Sequence, residues 1–405
     1  VSIAIAILCI LAIPYIGLLV LVFVGMVALA GPRKERPPTW PSVAVIMPAH
    51  NEEDALATTL ASLSRQRYPG PVEFVIVDDR STDATAEIIA SFCATDRRFK
   101  MHRVCTPDRR LSPKVNAVNQ GIEASRGEII VTTDADCTFD SSWIASLVRY
   151  FEHDVAMVTG YVESTSPEHP GGIVQRFDAV DWLTLMLASR SLSRFGWALA
   201  SSANNQAYRR SAFEAANGFG ASGRAPSGDE DLLVQRIGRL PGMRVVFASA
   251  ASARVRTESV ASLPTLLRQR RRWVSRYHHP MHFHPGFFAG IVVLGAHSTA
   301  LTVAVLGLPA FPWAAPWVLG EWAVVGLVQV VGLWIGTGQL DRRDLWGWPT
   351  LVWVLFHPVF IAFVSIWSLV APGDWGSGSP GYRSRLLRRR LREIRRRFLA
   401  ALDNS

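Results

Sequence analysis

A chain of 405 residues that is 49% hydrophobic and 19% charged, with a mean hydropathy of +0.19, is neither a disordered tail nor a disulfide-stapled miniprotein, and it has room for two or three domains. The formal charge of +9 resembles a nucleic-acid signal until it is located: Arg383 to Arg397 holds nine Arg and one Glu, and the rest of the chain is near neutral. Cys9, Cys93, Cys105 and Cys137 form no CxxC spacing, which argues against a zinc site or a disulfide framework and fits a reducing compartment.

In chain order, residues 1–30 contain no Asp, Glu, Lys or Arg. Ala28-Leu29-Ala30 resembles a signal-peptide cleavage site, but the apolar run is too long for a normal h-region and no basic n-region precedes it, so an uncleaved anchor is expected. Arg33, Lys34 and Arg36 follow directly in a basic, proline-containing linker, 31–42, and the positive-inside rule puts the next domain in the cytoplasm.

From Val43 the pattern changes to short apolar runs, Val43–Met47, Val72–Val77, Phe99–Val104 and Ile129–Thr133, separated by amphipathic stretches. That is βαβ spacing and predicts an α/β domain over 43–276. Glu52, Glu53 and Asp54 precede Leu56, Leu60 and Leu63 at helical spacing; Ser81 and Asp83 open a second helix carrying Ile88, Ile89 and Phe92. Open sheets of this kind bind ligands beyond the carboxyl ends of their strands. There stand Pro48-Ala49-His50-Asn51-Glu52, Asp78-Asp79-Arg80 and Asp134-Ala135-Asp136. No GxGxxG or GxxxxGK[ST] string is present, so neither a dinucleotide fold nor a P-loop has direct support. Asp134 and Asp136 form a pair of oxygen ligands suited to Mg²⁺ or Mn²⁺ with a diphosphate; as strand-end carboxylates they also suit helix capping.

Further on, Gly228-Asp229-Glu230-Asp231 places three acids at a helix start, more than compensation of the helix dipole requires. Gln269-Arg270-Arg271-Arg272-Trp273 then sets cations beside an aromatic face, and as a charge run it also fits a collar at the membrane surface. An interfacial segment, 277–285, with His278, His279, His282, His284 and Phe283, leads to three apolar stretches, 286–308, 317–336 and 349–371, each at or above the ~20 residues a span requires. If all three cross, the Arg-rich tail, 372–405, falls outside the cell. One is therefore expected not to cross, and 349–371 is chosen as re-entrant or interfacial because His357-Pro358 interrupts it. Glu321, His297 and His357 sit at membrane depth, where polar contacts between helices are the expectation. The tail is expected to lie on anionic lipid.

Taken in order, these strings resemble a membrane-bound glycosyltransferase of family 2 with the GT-A fold, similar in its motif set to the cellulose synthase and hyaluronan synthase branch. Val45–Glu53, Val75–Asp83, Lys114 with Asn116 and Asn119, Asp134-Ala135-Asp136, Asn205–Arg209, Gly228–Asp231 and Gln269-x-x-Arg272-Trp273 carry the resemblance across the whole soluble domain. It implies a Rossmann-like mixed sheet with one N-terminal and two to three C-terminal membrane helices.

Carried over residue by residue, the resemblance implies that Asp79, helped by Asp78, holds the uridine part of a nucleotide-sugar donor, with Pro48 and Glu52 lining the pocket and Lys114 near the diphosphate. Asp136 with Asp134 would hold the divalent cation. Asp229 aligns with the family's base, with Glu230 and Asp231 close enough to share the assignment. Asn205 belongs to the acceptor side, and Gln269, Arg272 and Trp273 match the motif that touches acceptor sugar and diphosphate. Inverting transfer needs one carboxylate to take the acceptor's proton and positive charge to meet the leaving diphosphate.

Two departures bear on the acceptor. Only two or three spans follow the catalytic region, and no FxVTxK-type gating string follows Trp273. Both argue against a polymer-secreting synthase and for a lipid or lipid-linked acceptor at the cytoplasmic face, where His278, His279, Phe283, Phe287 and Phe288 meet the interface. The rivals are a small processive polysaccharide synthase acting on a glycan, and a non-catalytic membrane assembly subunit, which has no reason to retain clustered acids. A nucleic-acid partner is not expected, since the Arg tail lacks aromatic interleaving.

Overall fold

The computed structural model of the chain describes residues 2–27, 39–106, 108, 111–165, 171–220, 229–275 and 284–370. The basic linker residues Arg33, Lys34 and Arg36, the segment with His278, His279, His282 and Phe283, the tail Arg383–Arg397 and the side chains of Asp229, Glu230 and Asp231 lie outside the described residues.

The chain opens with helix α1 (Ser2–Val27) and continues as β1 (Val43–Ala49), α2 (Leu56–Ser64), β2 (Val72–Asp78), α3 (Thr85–Thr95), β3 (Phe99–Arg103), α4 (Pro113–Glu123) and β4 (Ile129–Thr132). Then come β5 (Cys137–Phe139), α5 (Trp143–Val148), β6 (Val155–Gly160), β7 (Val162–Thr165), α6 (Ile173–Ser193), β8 (Gln206–Arg209), α7 (Arg210–Ala215), α8 (Asp229–Ile237), β9 (Arg244–Ala248), β10 (Val255–Glu258) and α9 (Leu263–Ser275). Three apolar helices end the described part: α10 (Pro285–Gly307), α11 (Ala315–Gln339) and α12 (Trp348–Val370). The four strands expected from the apolar runs all form, with ends shifted by at most two residues.

They build a seven-stranded mixed sheet in the order β3-β2-β1-β4-β8-β6-β9, and β5, β10 and β7 form a second, three-stranded sheet. β3, β2, β1 and β4 run parallel; β8 is antiparallel to both β4 and β6. Strands covered on both faces read as unbroken apolar runs. In β1, Val43, Val45 and Met47 pack with Leu56, Leu60 and Leu63 of α2 in one layer, while Ala44 and Ile46 face Val115, Val118 and Ile122 of α4 in the other. Gly121 lets α4 approach this closely, because a Cβ there would lie 2.6 Å from Ile46 Cγ2. The architecture is a mixed α/β sheet with a Rossmann-like core, joined, among the described residues, by one N-terminal and three C-terminal apolar helices.

Four helical segments, Ala6–Val27, Pro285–Gly307, Pro312–Gln339 and Trp348–Val370, are long and apolar enough to cross a membrane. Their polar side chains meet one another. His297 Nε2 and Glu321 Oε1 are 2.6 Å apart, the Tyr15 ring stacks on His297 at 4.3 Å, and Gln329 Nε2 donates to the Tyr15 hydroxyl. The expected break at His357-Pro358 does not form a re-entrant turn: α12 is one helix of 23 residues through Pro358. A proline removes one N–H and crowds one turn, and here both His357 and Pro358 are buried against neighbours that hold the helix. α12 packs on α10 and α11 and also on α6 and α9 of the sheet domain.

Candidate active site

β1 and β2 end side by side, Ala49 paired with Asp78, and the loops that follow are stitched together. Asn51 donates its N–H to Ser81 Oγ at 3.1 Å and accepts from the Thr82 N–H at 2.8 Å. Glu52 donates its N–H to Thr85 Oγ1, and the His50 ring Nδ1 lies 2.6 Å from the Asp79 carbonyl. Asn51 and Arg80 both take left-handed backbone, at φ 56° and 58°. Asn enters that region readily, whereas for Arg it costs roughly 1–2 kcal/mol, a strain the cross-loop bonds hold in place at a strand end where ligands bind.

Asp78 and Asp79 are buried at this edge. Asp78 Oδ1 accepts from the Ser81 N–H and its Oδ2 lies 3.4 Å from Arg103 Nε; Asp79 Oδ1 accepts from Arg80 Nε at 2.9 Å. One strand over, β4 ends in the turn that carries Asp134 and Asp136. Thr59 Oγ1 fixes that turn by donating to the Ala135 carbonyl at 2.8 Å. Lys114, in the first turn of α4, reaches Asp134 Oδ1 at 2.7 Å. Asp136 is exposed. Behind it, burial, reinforced by Asp136 and Asp134, pushes the Cys137 thiol well up, so it stays neutral and adds no charge to the pair.

A single cleft gathers Pro48, Lys114, Asp134, Thr133, Gln206, Tyr208 and Phe219. Three residues selected from the sequence, Pro48, Lys114 and Asp134, therefore share one hollow, with Asp78 and Asp79 at the adjoining strand end. Thr133, Gln206, Tyr208 and Phe219 were not selected. Gln206 follows Asn205 in the same string, and the structure sends the two side chains to opposite sides.

Asn205 itself corrects the expectation. It is fully buried, with Oδ1 accepting from Trp143 Nε1 at 3.1 Å and Nδ2 donating to the Tyr161 and Ala253 carbonyls at 2.9 Å each. An amide so engaged binds protein rather than acceptor, and Gly160 makes room for it, since a Cβ there would lie 2.3 Å from Asn205 Nδ2. Glu52 sits half-buried in the loop after β1 and does not line the cleft. Gln269, Arg272 and Trp273 are half-buried on α9, where Trp273 meets Trp182 of α6 at 4.9 Å, and do not line this cleft. Asp229 and Asp231 open α8, and their side chains are outside the described residues. His284 caps α10: its Nδ1 accepts from the Gly286 N–H.

Among the described residues no group of three or more His, Cys, Asp and Glu gathers to hold a metal. Two strand-end carboxylates beside a lysine still fit a hard divalent cation that takes its other ligands from phosphates and water, the usual arrangement for Mg²⁺.

The family model described as Glycosyl transferase family 2 matches residues 44–216. The chain is 33% identical over 115 residues to Probable glycosyltransferase YdaM of Bacillus subtilis, covering 28% of this chain and 27% of that protein. It is 31% identical over 158 residues to Glycosyltransferase AglE of Haloferax volcanii, covering 38% and 49%, and 33% identical over 132 residues to Beta-monoglucosyldiacylglycerol synthase of Nostoc sp., covering 32% and 28%. The matches thus span about a quarter to a half of each of these relatives. Among solved structures, Mannosyltransferase PcManGT from Pyrobaculum calidifontis, in complex with GDP-Man and Mn²⁺, superposes with a TM-score of 0.58 at 18% identity, covering 90% of this chain and 99% of that one. That likeness establishes a shared fold.

Proposed function

We propose, on the premise that residues 44–216 form a glycosyl transferase family 2 domain, that this chain is a membrane-bound inverting glycosyltransferase, moving a sugar from a UDP-sugar to a lipid or lipid-linked acceptor at the cytoplasmic membrane face. The observation that carries the reading is the cleft at the strand ends, where Lys114 meets Asp134 beside Pro48 and the Asp78–Asp79 edge. The relative named as a monoglucosyldiacylglycerol synthase and the four apolar helices support a lipid acceptor. The fold neighbour bound to GDP-Man and Mn²⁺ supports a nucleotide-sugar donor and a divalent cation.

In this reading Asp79 and Asp78 hold the nucleoside, Pro48 and Glu52 flank it, and Lys114 sits over the diphosphate. Asp136 and Asp134 hold Mg²⁺ or Mn²⁺, whose chemistry when bound is to neutralise charge on the donor phosphates. Asp229, or Asp231 two places further in the same turn, takes the proton from the acceptor hydroxyl as its oxygen attacks the anomeric carbon from the face opposite the diphosphate. The bond from the anomeric carbon to the diphosphate oxygen breaks with its electron pair on the diphosphate, where Lys114 and Arg272 meet the new charge. Gln269 and Trp273 orient the acceptor.

The test is release of nucleoside diphosphate by the purified full chain, with Mn²⁺ or Mg²⁺, against a panel of UDP- and GDP-sugars in vesicles containing diacylglycerol. Metal-dependent UDP release with a glycolipid product is expected. GDP release alone overturns the nucleotide assignment, and no turnover with any donor overturns the reading as a whole.

A further inference from the structure

Arg270 stands inside the Gln269–Trp273 string without having been assigned a role, and its surroundings are unlike those of its neighbours. Its side chain is 6% exposed and every guanidinium nitrogen is engaged. Nη2 donates to Asp178 Oδ1 at 2.7 Å, Nε to Asp181 Oδ2 at 2.8 Å and Nη1 to Gln269 Oε1 at 2.5 Å, while the guanidinium lies 4.2 Å from the centre of the Trp273 ring. One buried cation therefore touches both Gln269 and Trp273. A planar fork with fixed donor directions is what makes such a multiple engagement possible.

The two aspartates lie three residues apart on α6, so they share a face and grip the fork together. Their remaining oxygens are spoken for. Asp178 Oδ2 accepts from Ser164 Oγ and the Val260 N–H; Asp181 Oδ1 accepts from Trp353 Nε1 of α12 at 3.2 Å, with His357 Nε2 at 3.9 Å and the His357 ring 4.0 Å from that of Trp353. Arg271 adds a second tie to α12, 4.4 Å from the centre of the Trp367 ring. A buried carboxylate that loses one donor is left under-solvated, so the seat of Trp353 and the seat of Arg270 are energetically linked through Asp181.

We propose that Arg270 is a positioning residue for Gln269 and Trp273, and that the chain Trp353–Asp181–Arg270 couples the seating of apolar helix α12 to the geometry of this acceptor-side motif. The inference rests on the glycosyl-transfer reading above for its functional consequence and not for its structural one. A lipid acceptor reaches the site through the membrane, and a motif held from a membrane helix is held in the acceptor's own frame.

Trp353→Phe in the full chain removes the indole N–H and keeps a ring. Hydrolysis of the donor found active in the panel is expected to fall in kcat by about tenfold, the factor equivalent to one hydrogen bond, with KM for the donor unchanged. Gln269→Ala lowers kcat by itself, and adding Trp353→Phe to it is expected to cost little more, because residues acting through one another are not additive. Unchanged kcat in Trp353→Phe, or fully additive losses in the double variant, overturns the coupling. Hydrogen exchange supplies a readout independent of turnover: Trp353→Phe is expected to speed exchange of the amides of Leu263–Ser275 relative to those of Leu56–Ser64. If the wild-type chain hydrolyses no donor, the functional reading fails, and equal protection of α9 in both proteins still overturns the linkage.

Discussion

Aspartates meet two opposite settings in this molecule. In the turn after β4, Asp136 is exposed and Asp134 is held by one lysine at 2.7 Å; at the junction of α6, α9 and α12, Asp178 and Asp181 are each 6% exposed and bonded through both oxygens. The first pair stands where water reaches it, while the second is bonded to the protein on every oxygen. In the proposed function the same residue type serves binding where water reaches it; at the junction it serves architecture, because a buried carboxylate must be satisfied by its own chain.

The strongest way to break this contrast is to remove the strand-end acids. Asp134→Ala and Asp136→Ala are each expected to lower nucleotide-sugar turnover by roughly 10²–10³-fold, the scale of losing a charge-stabilising group, with EDTA reproducing the loss and Mn²⁺ or Mg²⁺ restoring the wild type alone. Stability should hardly move for Asp136, since substitutions at exposed positions fall within about ±0.5 kcal/mol. Steady-state kinetics beside thermal unfolding in detergent separates the two. Wild-type turnover in either variant removes the metal and donor assignment.

At the junction the expectation reverses. Asp178→Ala leaves Arg270 with one carboxylate fewer and strands Ser164 Oγ and the Val260 N–H, so a loss of about 3–5 kcal/mol in stability is expected. Denaturant titration measures it. A variant as stable as wild type would mean that the junction acids are not the structural members that their bonding makes them.

How much of this was legible beforehand follows the same division. Acids placed directly after apolar runs, as Asp78, Asp79, Asp134 and Asp136 are, can be recognised because strand ends in a parallel sheet converge whatever the rest of the fold does. The four leading strands were readable for a similar reason, their unbroken apolar runs. Asn205 was misjudged because its string carries no sign of which residues turn inward; the structure sends Gln206 to the cleft and Asn205 to Trp143. The junction was invisible because its partners, Asp181, Arg270 and Trp353, are up to 172 residues apart. One signal existed: Asp178 and Asp181, two acids at helical spacing within an apolar stretch, imply a buried cation without naming it. The continuity of α12 through Pro358 was missed because the cost of a proline depends on neighbours that composition does not reveal.

Asn205→Ala sharpens the contrast at an intermediate size. The substitution leaves the Trp143 indole N–H and the Ala253 carbonyl without this partner in a buried place, while the Tyr161 carbonyl loses one of two donors and keeps the Val255 N–H. A loss of about 1–3 kcal/mol is expected, with turnover per folded molecule preserved. Measured donor KM separates this outcome from a ligand-contact role: a raised KM in a fully folded Asn205→Ala protein would return the residue to the site.

The smallest effect comes from a third class of aspartate, those paired at the protein surface. The hydrogen bond from Arg98 holds Asp96 below its ordinary 3.8, and that from Arg244 holds Asp154 below the same value. At Asp344 burial pushes upward, but the hydrogen bond and charge of Arg342, with the charge of Arg176, outweigh it and the net shift is down. A carboxyl with a lower pKa folded than unfolded binds its proton first in the unfolded chain. Its contribution is therefore complete above 3.8 and disappears as pH falls through the lower folded values. Thermal unfolding should be flat in these groups from pH 7 to 5 and decline below about 4, by about 0.2–1 kcal/mol for each exposed pair. Asp154→Asn removes one pair and should make that decline shallower. A decline that begins near neutrality would point instead to the histidines, and would mean that the surface pairs are not what gives way first in acid.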